Sequence, residues 1–275
     1  MLRLLIAIPV YNEQKYVCRV LEKLRAVLDR VCRTCEICPE LLIIDDGSTD
    51  KTPQLLAARS DAKVIRHATN QGYGQSLIDA FQFAGAHGFD WVTTMDCDEQ
   101  HEPERIPDFV REIRTDRWDI ISGSRYLQPR GDDDLPPGDR RSINATITRL
   151  LNERLALNIT DAFCGYKAHR VSAMARVKLD VTGYAFPMQL WPQAVCRGLR
   201  ITEIPVKLIY NDPTRHFGGN LDDANVRLKH YLEVFERELE RLAAERAARK
   251  AAGDADAGEC TGWPRERLVA CGCTR

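Results

Sequence analysis

Residues 92–103 read VTTMDCDEQHEP, and Asp96, Asp98, Glu99 and Glu102 crowd into that short stretch at the end of an apolar run. Carboxylates this close repel one another, and burying them unpaired is costly. A cation is the simplest partner for such a group. Side chains alternate along an extended chain, so Asp96 and Asp98 leave the end of a strand in the same direction. All-oxygen donors favour Mg2+ or Mn2+ over zinc. Mg2+ takes one or two protein carboxylates and completes its shell with phosphate oxygens and water. A dication bridging these acids to a diphosphate is therefore one chemistry open to the stretch. The competing reading is local: acids at a helix N-terminus gain roughly 0.3–1 kcal/mol from the helix dipole.

The elements that must position these acids alternate between two hydrophobic periods. Segments 2–10, 40–46, 62–67, 90–96 and 118–125 read as short buried strands. Between them lie helical stripes: Val17, Leu21, Leu24 and Leu28; Leu77, Ile78, Phe81 and Ala84; and Ile106, Phe109, Val110 and Ile113, the last opened by Pro103. Apolar strands separated by helices predict an α/β fold with a mostly parallel sheet covered on both faces. Ligands of such sheets gather beyond the carboxyl ends of the strands. The polar clusters YNE (11–13), DDGSTD (45–50), NQGYG (70–74) and DCDEQ (96–100) each follow one of the first four strands.

The alternation breaks near residue 127. Residues 128–139 have loop composition, a helix is expected through Ile143, Ile147, Leu150, Leu151 and Leu155, and a strand over 201–210. A long helix carries Leu221, Leu228, Leu232, Phe235, Leu239 and Leu242; its charged end reads as a solvated helix or a short coiled-coil contact. The formal net charge of −1 gives no reason to expect nucleic-acid binding. No run reaches the roughly 18–20 apolar residues of a membrane span, and the N-terminal apolar stretch lacks a small-residue cleavage site, so a cytoplasmic protein is expected. The ten cysteines include Cys32, Cys35 and Cys38 in CRTCEIC and Cys260, Cys271 and Cys273 near the C-terminus. They read either as unlinked thiols or as a metal site that the tail cysteines complete.

Two motifs stay ambiguous on their own. Asp45 and Asp46 close an apolar strand where a carboxylate could accept from ribose hydroxyls or a base N–H, while Ser48, Thr49 and Asp50 suit helix capping. The glycines of NQGYG follow the third strand, whereas a dinucleotide fingerprint belongs to the first βα turn. That turn reads PVYNEQ without glycine, which excludes a nicotinamide dehydrogenase.

In order, PVYNE, DDGSTD, NQGYG, MDCDEQHEP, GSRY (123–126) and TDAFCGYKAHR (160–170) resemble the family 2 glycosyltransferases of the GT-A fold, over roughly residues 3–235. The similarity is greatest to the dolichyl- and polyprenyl-phosphate mannosyl- or glucosyltransferases. It implies a Rossmann-like glycosyltransferase domain over 1–220, with a nucleotide-sugar half (1–126) and an acceptor half (127–220). A C-terminal helix (221–250) and a poorly ordered, cysteine-containing tail (251–275) would follow. The resemblance makes Pro9, Tyr11 and Glu13, with Asp45 or Asp46, the nucleoside pocket. Asp96 and Asp98 become the DxD pair that meets Mg2+ or Mn2+ and the diphosphate, and Gln100 completes the metal shell. Arg125 stands near the transferring sugar or phosphates, Arg140, Arg141 and Ser142 hold an acceptor phosphate, and Arg215 clamps the diphosphate. Asn220-Leu221 stand where the family often has Ser-Lys, so a lysine role is lost.

Relatives of this type invert the anomeric centre in one displacement. A hydroxyl acceptor needs a carboxylate base near the sugar, whereas a phosphate acceptor is already anionic and needs only positive charge to hold it. Gln189 stands where many relatives show a glutamate, and arginines are plentiful around 125–141. The implied partners are a nucleotide sugar and a polyprenyl phosphate. Asp161 remains either a base for a hydroxyl acceptor or a structural partner for Arg or Lys. The helix over 143–157, apolar with Arg149 and Arg154, reads as core packing or as a peripheral contact with a membrane surface.

Overall fold

A computed structural model of the chain describes residues 2–35, 37–128, 131, 133–134, 136–210 and 218–252. Its strands are β1 (Leu4–Val10), β2 (Glu40–Asp45), β3 (Lys63–Arg66), β4 (Trp91–Thr94), β5 (Ile120–Ser124), β6 (Lys167–Arg170) and β7 (Ile201–Pro205). They form one sheet in the order β3-β2-β1-β4-β6-β5-β7. All neighbours run parallel except that β6 is antiparallel to both β4 and β5. The helices are α1 (Val17–Cys35), α2 (Thr52–Ala57), α3 (Tyr73–Ala86), α4 (Ile106–Arg114), α5 (Gly138–Leu155), α6 (Val171–Met174), α7 (Phe186–Cys196) and α8 (Ala224–Ala251).

Burial on both faces follows from the period-two alternation of β1. Leu4, Ile6 and Ile8 pack with α1 (Val17, Leu21, Leu24) and α4 (Ile106, Phe109). Leu5 and Ala7 face the other way, with Leu42, Ile44 and the α3 residues Ala80 and Ala84. A further core joins α3, α5, α7 and α8 through Leu77, Ile147, Leu151, Trp191 and Phe235. The expected strands and helices are present, except that the strand expected over 201–210 ends at Pro205; α4 is entered through a 3-10 turn at Pro103–Arg105.

Strand β6 has no counterpart in the sequence reading. KAHR is short and carries Lys167 and His169, both of them buried. The Lys167 ammonium donates to the Cys164 carbonyl and lies 5.5 Å from the centre of the Trp191 ring. Burial pushes His169 down to about 3, which keeps it neutral beside Phe81. Tertiary placement, not local preference, makes this strand.

Of the remaining readings, α5 follows core packing, while those for the α8 stripe, its charged end and the cysteine cluster are corrected. The apolar stripe of α5 (Ile143, Ile147, Leu151, Leu155) is buried in the core with α7 and α8, so it offers no apolar face to a membrane. On α8, Leu228 and Leu232 are only half-buried, while Tyr231, Val234, Phe235, Leu239 and Leu242 are buried; Leu221 lies in a preceding 3-10 turn. The charged end of α8 is partly docked, since Glu245 pairs with Arg197 (2.8 Å) and Lys178 (3.2 Å). A disulfide joins Cys32 to Cys38, which removes two of the three thiolates a metal site there would need; Cys35 stays free, and Cys260, Cys271 and Cys273 lie outside the described residues.

Buried Glu238 of α8 organises the join between the C-terminal helix and the rest. Its carboxylate accepts from Gln193 Nε2 (2.7 Å), Gln189 Nε2 (3.1 Å) and Arg241 Nη2 (2.9 Å). Gln189 Oε1 in turn accepts from the backbone amides of Asp180 (2.8 Å) and Val181 (3.0 Å). Removing the carboxylate strands buried amide donors and a partly buried guanidinium, so Glu238→Ala should cost about 3 kcal/mol in urea unfolding. A change below about 0.5 kcal/mol, the usual range for surface substitutions, would contradict this reading.

Candidate active site

A cavity of about 680 Å³ opens at the carboxyl ends of β1, β2 and β4. Pro9, Tyr11, Glu13, Asp46, Asp96, Asp98, Gln100, Arg125 and Arg140 all line it. Asp45, Asp161, Arg141 and Ser142 do not, and Arg215 lies outside the described residues. The remaining wall is largely apolar and aromatic, with Ile143, Phe163, Pro187, Leu208, Tyr210 and Tyr231 among its members.

The four acids of the first motif have separate fates. Glu99, with a positive φ of 60°, turns away to Arg19 (2.6 Å) and Lys23 (2.9 Å) of α1. Burial alone would raise its pKa, but these two cations hold it below the ordinary value. Glu102 accepts from Arg105 and from the Lys207 backbone amide, both at 3.2 Å. Asp96 and Asp98 are left facing the cavity, and Asp98 Oδ1 accepts from the Gln100 amide (3.0 Å).

Asp96 is fixed from several sides. Its backbone N–H donates to Nδ1 of buried His101 (3.1 Å), and the Tyr73 hydroxyl lies beside its carboxylate, since all three oxygens fall within 2.8 Å of where a Cβ at Gly165 would stand. Burial lowers the His101 pKa, which keeps the ring neutral and able to accept. A Cβ at position 165 would lie 2.5 Å from Asp96 Oδ2, so only glycine lets the carboxylate sit there. Among the described residues no group of three or more His, Cys, Asp or Glu side chains is placed to hold a metal ion. The donor set is thus two partly exposed carboxylates with the Gln100 amide nearby, all oxygen on the carboxylate side. That suits a Mg2+-type ion whose remaining ligands come from a phosphate and water.

Arg125 enters the cavity with its guanidinium oriented by Asp161. Nε lies 2.6 Å from Oδ2 and Nη2 2.9 Å from Oδ1, and Asn144 Nδ2 (2.8 Å) adds a third side-chain bond. Asp161 is fully buried. Burial alone would raise its pKa, but the Arg125 charge and these bonds hold it well below the usual carboxylate range. Of the two roles its sequence position allowed, the geometry displays the structural one. Gln189 is also structural, bound to the 180–181 backbone and to Glu238.

The β2 carboxylates work on their surroundings. Asp45 is buried, accepts from the Ser48 amide (2.9 Å) and lies 3.3 Å from Arg66 Nε. Asp46 accepts from the backbone amides of Gln71 (2.7 Å) and Gly72 (2.8 Å) and bonds His67 Nδ1 (2.7 Å). The other ring nitrogen of His67 meets Asp79 at 2.8 Å. Asp50 accepts from Thr52 (2.8 Å) and Gln14 (3.1 Å), but the N-cap of α2 is Lys51 without a side-chain capping bond, and Ser48 and Thr49 bond Asn12 instead, which corrects the capping reading of DDGSTD. Asn12 ties that turn to the first one through the Thr49 amide (2.8 Å).

Sequence reasoning passed over Tyr73, His101, Gly165, Tyr184 and Arg227. His101 and Gly165 lie inside motifs it quoted, but their contacts link segments far apart in the chain. Buried Arg227 of α8 lines the cavity and bonds Asp139 of α5 (2.6 Å), a pairing without any local signal.

The sheet order and the flanking helices define an α/β architecture of the GT-A type. The crystal structure of Mycobacterium tuberculosis glucosyl-3-phosphoglycerate synthase with Mg2+ and UDP superposes with a TM-score of 0.63 at 16% identity, over 86% of this chain and 79% of that one. Residues 5–177 match the model of the family described as Glycosyl transferase family 2, and the chain belongs to that family and is a glycosyltransferase. Curated relatives include the undecaprenyl-phosphate mannosyltransferase of Micrococcus luteus, 28% identical over 84% of this chain and 94% of the relative. The polyprenol monophosphomannose synthase of Mycolicibacterium smegmatis is 27% identical over 83% and 86%.

His67 makes the 70–74 turn sensitive to pH. Burial alone would lower its pKa, but the hydrogen bonds to Asp46 and Asp79 raise it above the ordinary value. A raised folded pKa gives stability that is full below about pH 6.5, the unfolded value, and is lost as pH rises through the folded value. The melting-temperature difference between wild type and His67→Gln should therefore be larger at about pH 6 than at about pH 9. A difference that grows with pH would refute the doubly bonded imidazolium.

Proposed function

We propose that the chain transfers a hexosyl group, with inversion, from a nucleotide sugar of the GDP-mannose or UDP-glucose type to a polyprenyl or dolichyl phosphate. Asp96 and Asp98, with Gln100, would hold Mg2+ or Mn2+. The observation that carries this reading is a single cavity in which two open carboxylates share space with an oriented guanidinium and an apolar wall. The relatives support the acceptor, since their names specify undecaprenyl phosphate and polyprenol. Structural neighbours crystallised with Mg2+ or Mn2+ and UDP support the donor.

Bound there, the divalent ion would stabilise charge on the leaving diphosphate. The protein's own residues bind and orient. Tyr11, 45% exposed, presents a ring face to the base, Pro9 walls the nucleoside, and Glu13 accepts from ribose. Asp46 serves the nucleoside by holding the 70–74 turn, and Asp45 by holding the turn at Ser48. Arg125 and Arg140 bind phosphate oxygens, for which the planar guanidinium fork is suited. Exposed Arg141 and Ser142 meet the acceptor phosphate from outside the cavity, and Arg215 clamps the diphosphate. Asp161 acts as a positioning residue for Arg125, because both its oxygens are engaged. A phosphate acceptor fits this arrangement: its nucleophilic oxygen is already anionic and needs no base.

A lipid acceptor places the enzyme against a membrane surface as a peripheral protein. No described helix is long and apolar enough to cross a membrane.

Two results are expected. Mn2+ with GDP-mannose or UDP-glucose raises the melting temperature of the wild type, and Asp98→Asn removes that shift; a shift that survives EDTA would contradict the metal role. Undecaprenyl phosphate accepts the sugar while undecaprenol does not, read as radiolabelled lipid product. Equal transfer to the alcohol would favour a hydroxyl acceptor and require a base elsewhere in the cavity.

A further inference from the structure

The proposed roles leave one feature of the cavity unused: the aromatic pair Tyr73 and Tyr184. Tyr73 is the first residue of α3, and its ring stacks on Tyr184 with centroids 5.9 Å apart and planes 15° apart. Its hydroxyl and both Asp96 carboxylate oxygens converge within 2.8 Å of the point where a Cβ at Gly165 would stand. The helix start that carries it is locked in place. Gln75 N–H donates to the Thr182 carbonyl (3.1 Å), and a Cβ at Gly72 or Gly74 would fall 2.4 Å from Thr182 O or 2.2 Å from Val181 O. The 180–181 backbone opposite is held by Gln189, and Gln189 by Glu238. On the remaining side, a Cβ at Gly165 would lie 2.7 Å from the Tyr73 hydroxyl and 2.5 Å from Asp96 Oδ2. The phenol–carboxylate pair therefore occupies a slot with walls on two sides.

We propose that Tyr73 is a positioning residue for the candidate metal ligand Asp96. Its hydroxyl takes up part of the carboxylate's accepting capacity and leaves the other lone pairs aimed into the cavity. Outer-shell donors of this kind orient ligating carboxylates, and their loss typically weakens metal binding about 10–100-fold. Nothing in this argument needs the nucleoside pocket to change. The inference rests on the reading that Asp96 meets a dication.

The test compares wild type with Tyr73→Phe, which keeps the ring and its stacking but deletes the donor. Mn2+ affinity is measured from the free-Mn2+ electron paramagnetic resonance signal in the presence of UDP and, separately, GDP. Nucleotide affinity is measured by calorimetry in EDTA. Tyr73→Phe should weaken Mn2+ binding about tenfold while metal-free nucleotide binding stays at the wild-type value. Gly165→Ala, which disturbs the same pair from the opposite wall, should give the same metal-specific loss and serves if Tyr73→Phe fails to fold. Wild-type Mn2+ affinity in Tyr73→Phe overturns the inference alone, as does an equal loss of metal-free nucleotide binding, the mark of a merely structural role. A wild-type chain that binds no Mn2+ with either nucleotide overturns the metal reading of the function and this inference with it.

Discussion

Negative charge can be concentrated at one edge of a sheet only if each carboxylate not meant for a ligand has its own compensation. This chain meets that constraint residue by residue. Glu99 goes to the cations of α1, Glu102 to Arg105 and a backbone amide, Asp46 to two amides and an imidazole, and Asp161 to Arg125. The compensation leaves Asp96 and Asp98 facing the cavity. The same rule makes Arg125 useful. A guanidinium held by two bonds to a buried carboxylate is already oriented, so little rotamer freedom is lost when it takes a phosphate.

Preorganisation of the site extends to elements far from the chemistry. Glu238 of α8 satisfies two glutamines of α7, one of which caps the 180–181 backbone. That backbone in turn seats the glycine-bearing start of α3 beneath the cavity. Each link is a polar contact with a defined partner, buried at Glu238 and part-buried at the 180–181 backbone, so a loose joint at Glu238 leaves buried donors stranded. Gln189 shows why residue type alone misleads. Compared with acidic relatives it reads as a lost base, yet its side chain faces away from the cavity and holds the loop.

Much of this was legible from the chain itself. Strands β1, β2 and β4 are apolar on both faces, and the helical stripes of α1, α3 and α4 keep a clean period, so their type was evident. The cavity-lining acids stand just past strand ends, so their edge of the sheet was evident. Asp96 and Asp98, however, lie in the bend after β4, where strand alternation no longer sets direction and Cys97 between them lines the cavity too. What escaped was set by distance in sequence. Strand β6 is made by its neighbours and carries a buried lysine and histidine, so its local pattern points elsewhere. Tyr73 meets Asp96, and Arg227 meets Asp139, across intervals that no window of residues spans. The Cys32–Cys38 disulfide was missed because spacing admits unlinked thiols, metal ligation and bonding alike.

The family match ends at residue 177, yet Tyr184, Pro187, Leu208, Tyr210, Arg227 and Tyr231 close the cavity from the chain beyond it. The sheet-edge acids all lie in the matched portion, whereas the apolar wall is shared: Ile143 and Phe163 come from the matched portion, and Pro187, Leu208 and Tyr231 from the chain beyond it. The two portions are joined by the pairing of β7 with β5, by the core that α7 and α8 share with α3 and α5, and by the Arg227–Asp139 bond, so a substitution in the later segment is felt across the whole chamber.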